Sequence, residues 1–227
     1  MTSLDPGINL NTFLGLTIRT LWESLPQLLR GALWFNLASL PAFTFFALGW
    51  LVPALAAAVV TVGPGWSALL AYETRLLQHR SADGAWFWQA FRRHWVGSCL
   101  LGLLPAVPAG LLLVLLPALE MQVAVPVSVW LGVSANLFAL AVAATLALYA
   151  FPNLVQRDLG TVACIRDALI LSSRNPANSV GLLAMGVLFG MGIAYVSLGL
   201  VLLLPTVYGL FIAGNGLAVV EAEFERA

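Results

Sequence analysis

Long apolar runs alternate along this chain with short segments that hold nearly all of its charge. Four stretches, residues 31–72, 95–119, 121–156 and 175–220, contain no Asp, Glu, Lys, Arg or His. A helix needs about 20 apolar residues to cross a hydrocarbon core about 30 Å thick. The second and third runs each suit one span. The first and last exceed 40 residues, and either one, as a single straight helix, would rise about 60 Å. Each is therefore read as two spans joined by a tight turn, at Gly49-Trp50 to Pro53 and around Pro205. The pattern predicts an all-α, polytopic membrane helix bundle. About six transmembrane helices are expected, over 31–50, 53–74, 96–118, 126–150, 179–203 and 205–220, within one domain at 31–222. Five spans is the alternative.

The segments between the runs carry helical signals of their own. In residues 1–30, Asp5-Pro6 is a helix-start signal, and Leu10, Leu14, Thr17, Leu21, Leu25 and Leu28 recur at spacings of three and four. With Trp22 at hand, an amphipathic helix on the cytoplasmic surface is expected. The segment 75–94 has a turn and cap at Ser81-Ala82-Asp83-Gly84, then Trp86, Phe87, Trp88, Phe91, Arg92, Arg93, His94 and Trp95. This predicts a short helix at the membrane–water interface, where aromatics and Arg gather. Residues 157–174 predict a second such helix, with Ile165, Leu169 and Ser172 on one face and Asn175-Pro176 at its end. Leu76-Leu77-Gln78-His79-Arg80 aligns loosely with Leu154-Val155-Gln156-Arg157-Asp158. The two units share a plan of span, cytoplasmic helix, span; an internal repeat and convergent loop design both account for it. Residues 223–227 are read as a cytoplasmic tail.

Composition agrees with the pattern. The chain is 61% hydrophobic and 9% charged, against about 25% charged in an average soluble domain. Net charge is zero and all ten basic residues are Arg, so nothing argues for a nucleic-acid partner. With the N-terminus inside, six spans put Arg19, Arg30, Arg75, Arg80, Arg92, Arg93, Arg157, Arg166, Arg174 and Arg226 on the cytoplasmic side, which is where positive charge is retained. The three outer connections then hold only Glu120. The expected location is the plasma membrane, multi-pass, both termini cytoplasmic. No cleavable signal peptide is read at the start, and the first span serves as the insertion signal. Cys99 and Cys164 lack metal-ligand spacing and are read as apolar-environment residues.

Candidate chemistry is sparse. No HExxH, Walker loop, nucleophile elbow or intramembrane acid pair is present; no catalytic residue, cofactor or metal is assigned, and the chain is read as a non-enzyme. Glu73, at the inner end of the second span, is expected to face headgroups or Arg75. Pro41 and the Gly63-Pro64-Gly65 triplet fall at similar depth in adjacent spans, where proline removes a helical hydrogen bond. Asn36, Thr44, Thr61 and Ser67, with Pro41 and Pro64, are the candidate polar pocket at that break; simple kinks packed by these side chains is the other reading. Arg92, Arg93, Arg166 and Arg174 are candidate contacts for a partner or for headgroups. Gly186, Gly190 and Ala194 form a small-residue ladder suited to a homo-oligomer seam or to packing within one copy.

Several segments resemble the YesL-like family of bacterial integral membrane proteins. They are Leu33-Trp34-Phe35-Asn36-Leu37 with Leu40-Pro41, Thr61-Val62-Gly63, Ser67-Ala68-Leu69, the aromatic helix at 86–93, residues 149–152, and Arg166-Asp167-Ala168-Leu169. The resemblance spans about residues 13–220. It implies no catalytic residues. It implies a role near carbohydrate uptake, because family members are encoded beside such genes. The readings carried forward are an accessory or regulatory membrane component for solute transport, with transporter subunits as partners; a self-contained permease or channel at the Pro41/Pro64 break; and a structural or assembly protein.

Overall fold

The computed structural model describes residues 10–120 and 127–224, and every regular element among them is helical. In order they are α1 Leu10–Glu23, α2 Leu25–Ala47, α3 Leu51–Ala57, α4 Gly63–His79, α5 Gly84–Arg93, α6 Trp95–Glu120, α7 Val127–Arg157, α8 Thr161–Arg174, α9 Pro176–Tyr195 and α10 Leu204–Phe224. Asp5, Pro6, Arg226 and the connection at 121–126 lie outside the described residues.

The first apolar run turns back where its glycine permits. Gly49 has φ +75°, a left-handed conformation that costs residues with a Cβ energy. Trp50 N–H donates to Phe45 O at 3.0 Å and Gly49 N–H to Phe46 O at 2.9 Å. This is a Schellman closure. Its hydrophobic contact is present too, as the Phe45 and Trp50 rings stack at 6.0 Å. The chain then re-enters as one helix of 29 residues, Leu51–His79, in which α3 and α4 are joined by a π-helical segment, Ala58–Val62.

Five helices are long and apolar enough to cross a membrane: Leu51–His79, Trp95–Leu115, Val127–Arg157, Pro176–Tyr195 and Gly199–Ala218. α2 has 23 residues, about 35 Å of helix, with Arg30 and Asn36 making it less apolar. Much of the outer surface is hydrocarbon; Phe138, Val52 and Leu188 are 72%, 74% and 65% exposed. A water-soluble protein rarely presents such a surface, and lipid suits it.

Several expected boundaries move. Residues 25–30 belong to α2, because the break falls at Ser24 with Pro26 in the first helical turn. The helix expected over 179–203 ends at Tyr195; a 3-10 turn, Leu198–Leu202, follows, and Pro205 opens α10 rather than marking the turn itself. α10 runs on to Phe224, so residues 223 and 224 are helix rather than tail.

α5 and α8 are present, with altered faces. The α5 aromatics pack into the protein: Phe87 is fully buried, and Trp88 sits edge-on to Trp34 of α2 at 5.9 Å. On α8 the buried stripe is Cys164, Ala168 and Leu171, while Leu169 is exposed. Of the face predicted at Ile165, Leu169 and Ser172, Ile165 packs against the core and Leu169 points outward. On α1, Thr17 is buried, Leu21 packs against the core and Trp22 is exposed.

Candidate functional site

Pro64 lacks the N–H that would bond Val60 O in a regular helix. The structure gives that carbonyl another donor, as Trp95 Nε1–H bonds Val60 O at 3.2 Å. The π-helical segment just before Gly63 accommodates the proline ring without unwinding. Gly63 then serves a close approach of α6: a Cβ there would stand 3.0 Å from Ser98 O. The break is real, and its described role is close packing.

None of the six candidate pocket residues lines the main cavities among the described residues. Asn36 Nδ2 donates to Ala32 O at 2.8 Å and to Val201 O at 3.4 Å. Thr44 and Thr61 bond the carbonyls of Leu40 and Ala57 on their own helices. Ser67 and Ser98 share a 2.6 Å hydrogen bond between α4 and α6. Pro41 is exposed, and Pro64 is buried. The cavity beside the break, about 290 Å³, is lined by apolar residues such as Leu55, Val59, Trp66, Pro105 and Phe151, and by none of the six.

Polar chemistry gathers instead at the arginine-bearing end. The ends of α4 and α7, the helix α5 and the later turns of α10 enclose a cavity of about 520 Å³. Arg75, His79, Trp86, Arg93, His94 and Gln156 are among its lining residues, with Asp158. Arg93 is paired with Asp158 at 2.5 Å. That bond ties the segment after α7 to the end of α5 and so brings the two arginine-bearing loops to one side. His94 Nδ1 lies 3.7 Å from Asp158. Burial holds the His94 imidazole below its ordinary value, Asp158 opposes the shift and Arg93 adds to it. The Arg93 hydrogen bond holds the Asp158 carboxyl below its usual range. Arg157 pairs with Asp167 at 3.2 Å.

Arg75 differs from both. Its guanidinium lies over the Trp86 ring, 4.2 Å from the centroid, and no carboxylate pairs with it among the described residues. Arg75 Nε and Trp86 Nε1 are buried donors without a hydrogen-bond partner in the protein. Gln156 Nε2 donates to Ala213 O at 3.0 Å and its Oε1 is a buried acceptor without a donor.

Glu73, two residues deeper on α4, corrects the sequence expectation. It faces neither headgroups nor Arg75. Its side chain is fully buried, neither carboxyl oxygen has a hydrogen-bond partner, and it lies against Gly209 of α10, where a methyl group would collide with it. Residues two apart on a helix do not face each other, so Arg75 and Glu73 point to different sides of α4. Sequence reasoning missed Glu73, Trp86 and Gln156 as site residues. The available signal was a carboxylate inside the last two turns of a long apolar helix.

Of the remaining candidates, Arg92 and Arg174 are exposed, and Arg166 lies 3.7 Å from Asp167. Gly186 packs against Tyr208 within the monomer, whereas Gly190 and Ala194 face outward. Cys164 is buried, and burial with Asp167 nearby pushes its thiol up to about 11. No group of three His, Cys, Asp or Glu side chains among the described residues is placed to hold a metal. No protein-family model, curated protein or solved structure matches the chain.

Proposed function

We propose that this chain is a multi-pass membrane protein with six crossings and both termini cytoplasmic. In this reading it acts as an accessory or regulatory component of solute transport, carbohydrate included, through its arginine-bearing face. One observation carries the choice. The polar cavity of about 520 Å³ opens among the arginine-bearing helix ends, while the cavity at the proline break has apolar walls. Side chains such as Ser67, Ser98, Asn178 and Asn215 hydrogen-bond one another between helices, which makes them internal packing contacts. The YesL-like resemblance and its carbohydrate-uptake setting support the same reading. Gentle detergent extraction of a tagged copy from its own host, with mass spectrometry of what co-purifies, tests it. Stoichiometric transporter subunits are expected; recovery of this chain alone would overturn the accessory role.

Glu73 favours a second reading, a self-contained carrier. A buried intramembrane carboxylate is by default a functional candidate, and Glu73 is fully buried with neither oxygen hydrogen-bonded. Substrate-dependent flux in liposomes containing only this protein, lost in Glu73→Gln, would decide for it.

A further inference from the structure

The cavity at the arginine-bearing end has a donor–acceptor inventory that selects a ligand class. Arg93 and Arg157 are matched by Asp158 and Asp167. Among the described residues, Arg75 is the lining arginine with no carboxylate against it, and two buried donors, Arg75 Nε and Trp86 Nε1, have no acceptor. Buried donors that lack partners destabilise the fold, so an acceptor-rich group entering the cavity gains by satisfying them. The Trp86 ring covers one face of the Arg75 guanidinium and leaves its edge N–H groups available, the geometry with which arginine grips oxyanions. Gln156 Oε1 is a lining acceptor without a donor, and a ligand hydroxyl would supply one. The volume, about 520 Å³, lies in the range of small-molecule sites. The unmatched guanidinium fits the oxygens of a phosphate ester, and Arg with Trp at helix ends marks the depth of lipid headgroups, where the abundant anions are phosphodiesters.

We propose that the cavity bounded by Arg75, Trp86 and Gln156 is a binding site for a hydroxyl-bearing phosphate ester, supplied by a phospholipid headgroup or by a soluble ester. Arg75 grips the phosphate oxygens, Trp86 donates its indole N–H, and Gln156 accepts from the hydroxyl. The inference rests on the arginine-bearing face being the working face. It gives that face a ligand whether or not a transporter partner exists.

The test uses the purified full chain in non-ionic detergent. Binding of short-chain phosphatidylglycerol, short-chain phosphatidylcholine, glycerol 3-phosphate and glycerate is read by native mass spectrometry and thermal shift. Wild type should bind phosphatidylglycerol, glycerol 3-phosphate or both at least about tenfold more tightly than phosphatidylcholine or glycerate. Arg75→Gln should lose about tenfold or more, as expected for a charged hydrogen bond, and Trp86→Phe about threefold. Arg19→Gln, which only breaks the exposed pair with Glu23 on α1, should bind as wild type does. Displacement of the lipid by glycerol 3-phosphate assigns the soluble source; lipid binding that glycerol 3-phosphate does not disturb assigns the headgroup. If Arg75→Gln elutes as aggregate, Trp86→Phe and Arg75→Lys decide in its place. Equal binding by those variants, a preference for glycerate, or no binding by wild type overturns the site. Co-purification is read separately. Arg75-dependent binding with no co-purifying subunit sinks the accessory role and leaves the site, and the converse result does the opposite.

Discussion

At the scale of single residues, two groups carry costs that stability measurements can read. Glu73 is fully buried with neither oxygen hydrogen-bonded. Replacing a buried polar or ionic group by an apolar one of similar volume is often neutral or stabilising by about 1–4 kcal/mol. Glu73→Leu is therefore expected to raise the unfolding midpoint in detergent, and a loss of stability of about 1 kcal/mol or more would show that the carboxylate has a partner. Gly209→Leu should destabilise, because a side chain there must displace Glu73. His94 makes stability depend on pH. Its folded-state value lies below the ordinary 6.5, so the unfolded chain binds this proton at higher pH than the folded chain does. The contribution is complete above the ordinary value and is lost as pH falls through the window beneath it. Wild type should melt earlier at about pH 5.5 than at about pH 7.5, a window that brackets the free imidazole, and His94→Asn should show a smaller difference. The exposed Arg93–Asp158 pair contributes little to stability, so Asp158→Asn tests mainly the coupling to His94.

At the scale of elements, the helix ends were the legible part of the sequence. Gly49 was readable as a turn because no other residue nearby tolerates φ +75° so cheaply. The Gly63-Pro64-Gly65 triplet was readable as a break because proline removes a donor. Its use was not readable, since Trp95, which takes up the freed carbonyl, comes from the start of another helix. Faces were harder still. α8 turns Cys164, Ala168 and Leu171 inward because small residues let it lie close against α7, whereas hydrophobicity alone pointed to Leu169. Glu73 was misplaced for the same reason: its surroundings come from Gly209, near the far end of the chain. The two loosely aligned units do share a structural detail. Arg80 and Asp158, at matching positions, are the non-glycine residues with positive φ among the described residues, at 56° and 52°. A left-handed non-glycine residue costs about 1–2 kcal/mol relative to an allowed conformation. Arg80→Gly should accordingly stabilise by about 0.5–1 kcal/mol. Gly49→Ala should destabilise by about 1 kcal/mol. Chemical denaturation in mixed micelles measures both, and the opposite sign at either site would remove left-handed backbone as the reason for that helix end.

At the scale of the whole molecule, side is the property that separates a stack of apolar helices from an oriented membrane protein. The Arg93–Asp158 bond places the segments after α4 and α7 at one end, and the Gln156–Ala213 bond adds α10 to it. The turn at Gly49 closes α2 at the opposite end, because Leu51–His79 runs 29 residues, about 43 Å of helix, before reaching Arg80. In the proposed orientation, arginine retention puts that end on the cytoplasmic side. Single cysteines in a Cys99→Ala, Cys164→Ala background give the readout. A membrane-impermeant maleimide added to intact cells should label Trp50→Cys and Tyr195→Cys, both exposed at the far end. It should leave Ser81→Cys and Gly160→Cys unlabelled until the cells are opened. Labelling of all four from outside would mean that the bundle does not cross the membrane as a unit. Labelling of Ser81→Cys and Gly160→Cys alone would invert the orientation and turn the phosphate-ester cavity to the outer surface. A separate Cys99→Ala chain that keeps native Cys164 serves as a check, since Cys164 is fully buried with its thiol pushed up to about 11. It should react slowly even in detergent, because the thiolate is the reactive form; fast modification there would mean that α8 does not stay packed against α7.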